Sequence, residues 1–156
     1  MRSVKVIEPG KYTTAQDLGR FGFLRYGLPP SGPMDRVLFA AANAALGNDP
    51  NAAVLECTGT MPVLEFSHST RIAVAYANHR AIIEAAAGER VRFDPIVAGY
   101  RAYIALAGGI DVPVVLGSRS TYVAGKLGGH EGRMRWAGDV MNVGPCLLYT
   151  SGAAEE

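Results

Sequence analysis

Cysteine is nearly missing from this 156-residue chain: Cys57 and Cys146 are the only two, they lie far apart, and neither sits in a partner motif. A disulfide framework is therefore excluded. The three histidines, His68, His79 and His130, are equally scattered, so no metal-ligand spacing exists and no metal is expected. The chain also lacks an excess of either charge, because 15 Lys+Arg face 14 Asp+Glu for a formal net charge of +1. Without a broad field or a charge run to hold phosphates or anionic lipid, nucleic-acid and membrane-surface partners are set aside. Long apolar runs are absent too: the longest, Val37 to Leu46, is broken by Asn43 and is too short to span a bilayer. Residues Met1 to Glu8 alternate polar and apolar before Pro9-Gly10, unlike a signal peptide, so a cytoplasmic location is expected.

What the chain has is 49% hydrophobic residues, which suits one soluble domain. A domain of this size buries roughly 70% of the surface its unfolded form exposes, enough for a core without staples. Period-two alternation dominates. Ser3/Lys5 alternate with Val4/Val6, Arg90/Arg92/Asp94 with Val91/Phe93, and Arg133/Arg135 with Met134/Trp136, each set predicting a half-buried antiparallel strand. Further strands are expected around Leu55, Val63-Leu64, Ile72-Ala73-Val74, Ile82-Ile83 and Tyr103 to Leu106, for about eight in all. Nineteen glycines and nine prolines fit the tight corners of a mainly β barrel or sandwich.

One segment departs from that pattern. Met34, Leu38, Ala41 and Ala45 recur at helical spacing and predict one principal α-helix at about 35–46. Ser31-Gly32-Pro33 and Asp35 supply residues for its start, and Gly47-Asn48-Asp49-Pro50 supplies a stop. Residues 146–156 abandon the alternation and resemble translated adapter sequence, so they are read as a foreign tail without function.

The densest polar region runs from Thr13 through Gln16, Asp17 and Arg20, and resumes at Gly27 to Asp35. Hydroxyl, amide, carboxylate and guanidinium groups lie there among glycines, which let a backbone approach a small polar ligand. The same residues also admit a local reading: Asp17 can pair with Arg20, and Ser31 or Asp35 can simply cap the helix. Asn43, inside an alanine-rich helix, needs a hydrogen-bond partner, and Glu56 is either a buried acid or an outward-facing one. Gly117-Ser118-Arg119-Ser120-Thr121 has the composition of a carboxylate or phosphate cradle. Gly125-Lys126 is not a Walker loop, and adjacent His130 and Glu131 do not form a base with its orienter.

Taken together the segments resemble the KipA-like, carboxyltransferase subdomain A/B family, which includes allophanate hydrolase subunit 2 and the 5-oxoprolinase C subunit. The resemblance rests on Pro9-Gly10, Thr13 to Arg20, Gly27-Leu28-Pro29, Ser31 to Asp35 and Leu55-Glu56-Cys57-Thr58. It continues through Arg101 to Ile110, Leu116 to Thr121, Leu127 to Arg133 and Ala137-Gly138-Asp139. Residues 1–145 would then be the family's first subdomain, with a cyclophilin-like β-barrel fold, and inactive on its own.

The resemblance implies a subunit of an ATP-dependent 5-oxoprolinase complex that opens the lactam of 5-oxoproline to glutamate alongside KipI-like and LamB/YcsF-like subunits. ATP is the cofactor of that complex. Two alternatives accompany it: a carboxyltransferase component moving carboxylate from biotin to urea or a similar amide, and a non-enzymatic antagonist that binds a KipI-like protein. Under the enzymatic readings Arg20 and Ser31 are donors and Asp17 and Asp35 polar orienters at the catalytic centre, while Gln16, Asn43, Arg119 and Ser120 contact a small amide or lactam substrate. One departure from the family pattern is Ala75-Tyr76-Ala77-Asn78, where relatives carry a Thr-Gly-Ala turn.

Overall fold

The computed structural model describes residues 2–96 and 98–145. The expected foreign tail at 146–156 lies outside the described residues. In chain order the elements are β1 (Ser3–Glu8), β2 (Tyr12–Gln16), a 3-10 turn (Leu24–Tyr26), α1 (Arg36–Ala45), β3 (Val54–Thr58), β4 (Val63–Phe66), β5 (Thr70–Tyr76), β6 (His79–Ala85), β7 (Arg90–Arg92), β8 (Arg101–Leu106), β9 (Ile110–Asp111) and β10 (Val140–Val143). The strands form two five-stranded antiparallel sheets, ordered β7-β4-β1-β10-β9 and β2-β3-β8-β5-β6. The mainly β fold with one principal helix is thus the observed one.

The main core lies between the sheets. Val4, Val6, Leu64, Phe66 and Met141 from the first sheet meet Leu55, Cys57, Ile72, Val74, Ile104 and Leu106 from the second. Burial pushes the Cys57 thiol up to about 12, so it serves as a small apolar filler. The second sheet is buried on its other face as well, where Leu38, Phe39 and Ala42 of α1 and its C-cap Leu46 pack on Val54, Ala73, Ala75, Tyr103, Ala105 and Ala107. Double burial explains why β5 and β8 read as continuous apolar runs and not as alternations. The alanines on the outer face leave room for the helix to lie close to the sheet.

α1 begins where expected, with Asp35 as N-cap: its Oδ1 accepts from the N–H groups of Val37 and Leu38, both at 3.0 Å. Asn43 finds partners beyond the helix. Its Nδ2 donates to the Ala52 carbonyl (2.9 Å) and its Oδ1 accepts from Asn48 Nδ2 (3.1 Å), while Asn48 also bridges Leu106 O and Gly108 N. This amide pair ties the helix end to the end of β8.

The expected strand at 133–136 does not form. Arg135 is fully buried and Trp136 is 56% exposed, the reverse of the alternation. Two local forces override it. Arg133 closes a bidentate pair with Asp139 (2.8 and 2.9 Å) and stacks over the Trp136 ring at 3.8 Å, which bends the segment into a loop. Gly132 adds a left-handed turn (φ +64°) where a Cβ would collide with the Lys126 carbonyl.

Candidate functional site

The site grows from the end of β2. This strand is an edge of the second sheet, and its open side is closed by two loop donors: Thr121 N to Ala15 O at 3.0 Å, and Arg135 N to Thr13 O at 2.8 Å. Loop 117–121 is thereby laid alongside the turn that follows Gln16. Asp17, 2% exposed, points into that loop. Its Oδ1 accepts from Ser118 Oγ (2.5 Å), Ser120 Oγ (2.9 Å) and Gly19 N (3.0 Å), and its Oδ2 from Arg119 N (2.7 Å). The carboxylate cradle read from the composition of 117–121 does hold a carboxylate, and it comes from within the chain.

Arg20 does not pair with Asp17. Its guanidinium, also 2% exposed, donates to three carbonyls instead: Val115 at 2.8 Å, Ser120 at 3.0 Å and Ser118 at 3.3 Å. Nη1 has no hydrogen-bond partner among the described residues. Gly128 packs against this assembly with φ +70°, and any Cβ there would collide with the Ser120 carbonyl.

Gln16 links the assembly to the next loop. Its Nε2 donates to Thr121 O (3.2 Å) and Thr14 Oγ1 (3.1 Å), and its Oε1 accepts from Gly32 N (3.1 Å). Ser31, immediately before that contact, is half-buried and stands at φ +56°, a left-handed conformation that a non-glycine residue adopts at a cost of order 1–3 kcal/mol. The structure therefore brings Gln16, Asp17, Arg20, Ser31 and Ser120 together. The Arg119 backbone belongs to the group, but its side chain turns away to Val112 O (3.1 Å) and Asp111 (3.3 Å), beside a cleft of about 420 Å³ shared with Asp49, Asn51 and Gly109.

Asp35 lies one step further along, at the helix start. Its N–H donates to Tyr103 Oη (2.9 Å), and Tyr103 donates to Glu56 Oε2 (2.7 Å), which also accepts from Met34 N (2.8 Å). Arg101 Nη1 approaches the other Glu56 oxygen at 3.3 Å. Glu56 is thus the buried acid of the two readings, and burial raises the Tyr103 phenol above its ordinary range. Asn43 sits apart, at the far end of α1. The sequence marks Tyr103 as a strand residue and Arg101 as part of a family segment but neither as a partner of Glu56, although Tyr103 lies directly opposite Glu56 across the β3–β8 ladder.

A second polar group was also missed. His130 Nε2 lies 3.5 Å from Asp139 Oδ1, on the carboxylate that Arg133 grips. Burial and then the Arg135 charge lower the His130 pKa. Burial works against the charge on Asp139, yet the Arg133 hydrogen bonds and the Trp136 N–H hold its carboxyl below the usual range. Among the described residues no group of His, Cys, Asp or Glu is arranged to hold a metal ion, and no helix is long and apolar enough to cross a membrane.

Beside the Ser31 loop the surface is apolar. Phe21, Leu24, Tyr26, Met34 and Val37 are all more than half exposed, and Arg36 lies over the Phe21 ring at 6.0 Å, which joins the loop to the helix start. Patches of this kind mark contact surfaces.

The chain is 42% identical over 149 residues to urea amidolyase of Lachancea kluyveri, covering 88% of this chain and 8% of that protein. It is 38% identical over 152 residues to the 5-oxoprolinase C subunit of Escherichia coli, covering 90% of this chain and 49% of that protein. The crystal structure of the K. lactis urea amidolyase superimposes with a TM-score of 0.85 at 39% identity, over 90% of this chain and 9% of that one. The chain thus spans about half of the bacterial relative and under a tenth of the yeast enzymes. Residues 26–154 match the family described as carboxyltransferase domain, subdomain A and B, and the chain belongs to that family.

Proposed function

We propose that this protein is the KipA-like component of a cytoplasmic, ATP-dependent 5-oxoprolinase complex, which opens the lactam of 5-oxoproline to glutamate. The observation that carries this reading is the 38% identity to the 5-oxoprolinase C subunit over 90% of the chain. In this reading Ser31 is the substrate-facing donor: its hydroxyl makes no hydrogen bond to any described residue, and its strained backbone is fixed by the Gln16–Gly32 contact. Asp17, Arg20 and Ser120 act as positioning residues that hold the two loops together, since nearly all their polar atoms are taken up inside the chain. Asp35 positions the loop from the helix side. KipI-like and LamB/YcsF-like subunits complete the complex, and the apolar surface around Phe21, Leu24 and Met34 offers one of them a contact area.

The nucleotide is assigned elsewhere in the complex. Loop 117–121 has the composition of a phosphate cradle, but Asp17 fills it with a carboxylate, so these residues do not fit a phosphate.

A second reading is favoured by the 42% identity to urea amidolyase: transfer of carboxylate from biotin to urea or a similar amide. Both reactions act on an amide or ureido group, at the carbonyl of the lactam or at the nitrogen of urea, which calls for oriented donors and a base. The discriminating experiment is co-expression with KipI-like and LamB/YcsF-like partners, followed by assay of ATP-dependent glutamate release from 5-oxoproline. Turnover that falls with Ser31→Ala in an assembled complex is the expected result. An assembled complex with no glutamate release overturns the proposal, and carboxylation of urea by a biotinylated partner would install the second reading in its place. Binding to a KipI-like protein without either turnover would point to an antagonist.

A further inference from the structure

The two sheets have four edges, and three of them are protected. β2 is covered by the Thr121 and Arg135 N–H groups, β9 is two residues long, and β7 is three residues long and carries Arg90 and Arg92. In a self-paired β7 those two arginines would face each other. The fourth edge differs. β6 (His79–Ala85) runs for seven residues, pairs only with β5 among the described residues, and contains no proline, bulge or lysine to blunt it.

The sequence of β6 is complementary to itself. Read outward from Ile82, it places Arg80 two residues before and Glu84 two residues after, with Ala81 and Ile83 between. An antiparallel copy centred on Ile82 sets Arg80 opposite the other copy's Glu84, Glu84 opposite its Arg80, and the two Ile82 side chains against each other. All of these lie on one face, because residues two apart share a side of the sheet. That face is the helix-bearing one: Ile82 pairs with Ala73 and Arg80 with Ala75, both under α1. Ile82 is 48% exposed beside a shallow apolar groove formed with Ala41, Ala45 and Ala73. Opposite charges and β-branched pairs directly across a ladder favour pairing, and like charges there oppose it.

We propose that the occupant of this edge is a second copy of the same chain, joined β6 to β6 about a twofold axis through Ile82, so that the two second sheets run on as one ten-stranded sheet. The interface is isologous, as a twofold requires. It lies on the opposite edge of the sheet from β2 and loop 117–121, which leaves the Ser31 cluster open in both copies.

The test uses analytical ultracentrifugation of the 156-residue chain over a range of concentrations, with circular dichroism to confirm that each variant is folded. The unaltered chain is expected to dimerise with rising concentration. Arg80→Glu alone and Glu84→Arg alone each put like charges across both symmetric pairs, and each is expected to weaken the dimer about tenfold or more. The double variant Arg80→Glu/Glu84→Arg restores both pairs and is expected to dimerise like the original. A chain that stays monomeric at every concentration overturns the proposal, as does a dimer that both single reversals leave unchanged, or one that the double reversal fails to recover.

Discussion

The Asp17 carboxylate sits 2.7 Å from the Arg119 N–H, across 102 residues of sequence, and this contact fixes loop 117–121 to the turn after β2. Because Ser118 and Ser120 direct their hydroxyls to the same carboxylate, one side chain gathers three donors from the loop. Removing it should be costly. In Asp17→Ala the Arg119 and Gly19 N–H groups and the Ser118 hydroxyl lose their acceptor, while Ser120 Oγ keeps the residue-17 backbone carbonyl at 3.2 Å, and a loss of about 3 kcal/mol is expected. Asp17→Asn should recover only part of that, since an amide nitrogen would face a donor. Urea denaturation of both variants measures the difference, and a neutral Asp17→Ala would contradict the account.

Arg135 offers the opposite experiment. Its guanidinium is fully buried, and none of its three nitrogens has a hydrogen-bond partner among the described residues. Burial pulls its pKa down to about 10, against an attraction to Asp139. A buried cation without hydrogen bonds costs stability, so Arg135→Met, which keeps length and removes charge, should stabilise the fold by about 1–4 kcal/mol. The sign with pH follows from the depressed folded pKa. The penalty is complete below about pH 10 and eases as pH rises above it, so the gain is largest at neutral pH. Thermal melts at pH 7 should show a higher Tm for the variant, and a lower Tm would mean that Arg135 has a role in packing that this argument omits.

The histidines set the response to mild acid. His130 and His68 both have pKa values lowered chiefly by burial, the first aided by Arg135 and the second by Arg2. A histidine whose folded pKa lies below its unfolded value binds a proton more readily when unfolded. Its contribution is intact above the ordinary pKa near 6.5 and fades as pH falls from there toward the folded value. The Tm should therefore drop between about pH 7.5 and pH 5.5, and His130→Gln should narrow that drop. An identical drop in the variant would remove His130 from the explanation.

The elements that were legible in the sequence are those governed by a single local rule. Asp35 before an alanine-rich run gave the helix and its cap, and the alternation of Val4 and Val6 with Lys5 gave β1. The 133–136 segment obeyed the same alternation and still failed as a strand, because the Arg133–Asp139 pair and the Trp136 stack act over six residues and outweigh a weak β preference. At the site, composition located the polar loops but not their pairing. Asp17 and Arg20 are three apart and opposite in charge, yet each is matched to atoms about a hundred residues away. Such contacts depend on loop 117–121 being drawn to the edge of β2, and no local pattern records that.

Tyr103 links the sheet to the helix start, and its removal separates two roles. The hydroxyl donates to Glu56 at 2.7 Å and accepts the Asp35 N–H at 2.9 Å, so Tyr103→Phe leaves the Asp35 N–H without its acceptor and Glu56 with one donor fewer. A loss of about 1–3 kcal/mol is expected. Glu56→Gln should cost a similar amount, and because the two residues share one hydrogen bond, the double variant should cost less than the sum. The functional consequence is positional. Residues 31–35 hang between the Gln16–Gly32 contact on one side and the Tyr103–Asp35 contact on the other, so Tyr103→Phe should loosen Ser31 without touching it. In an assembled, active complex this predicts a reduced kcat with little change in KM, and no additional loss when Tyr103→Phe is combined with Ser31→Ala. A further loss in the combined variant would show that Tyr103 acts on turnover by a route other than the Ser31 loop.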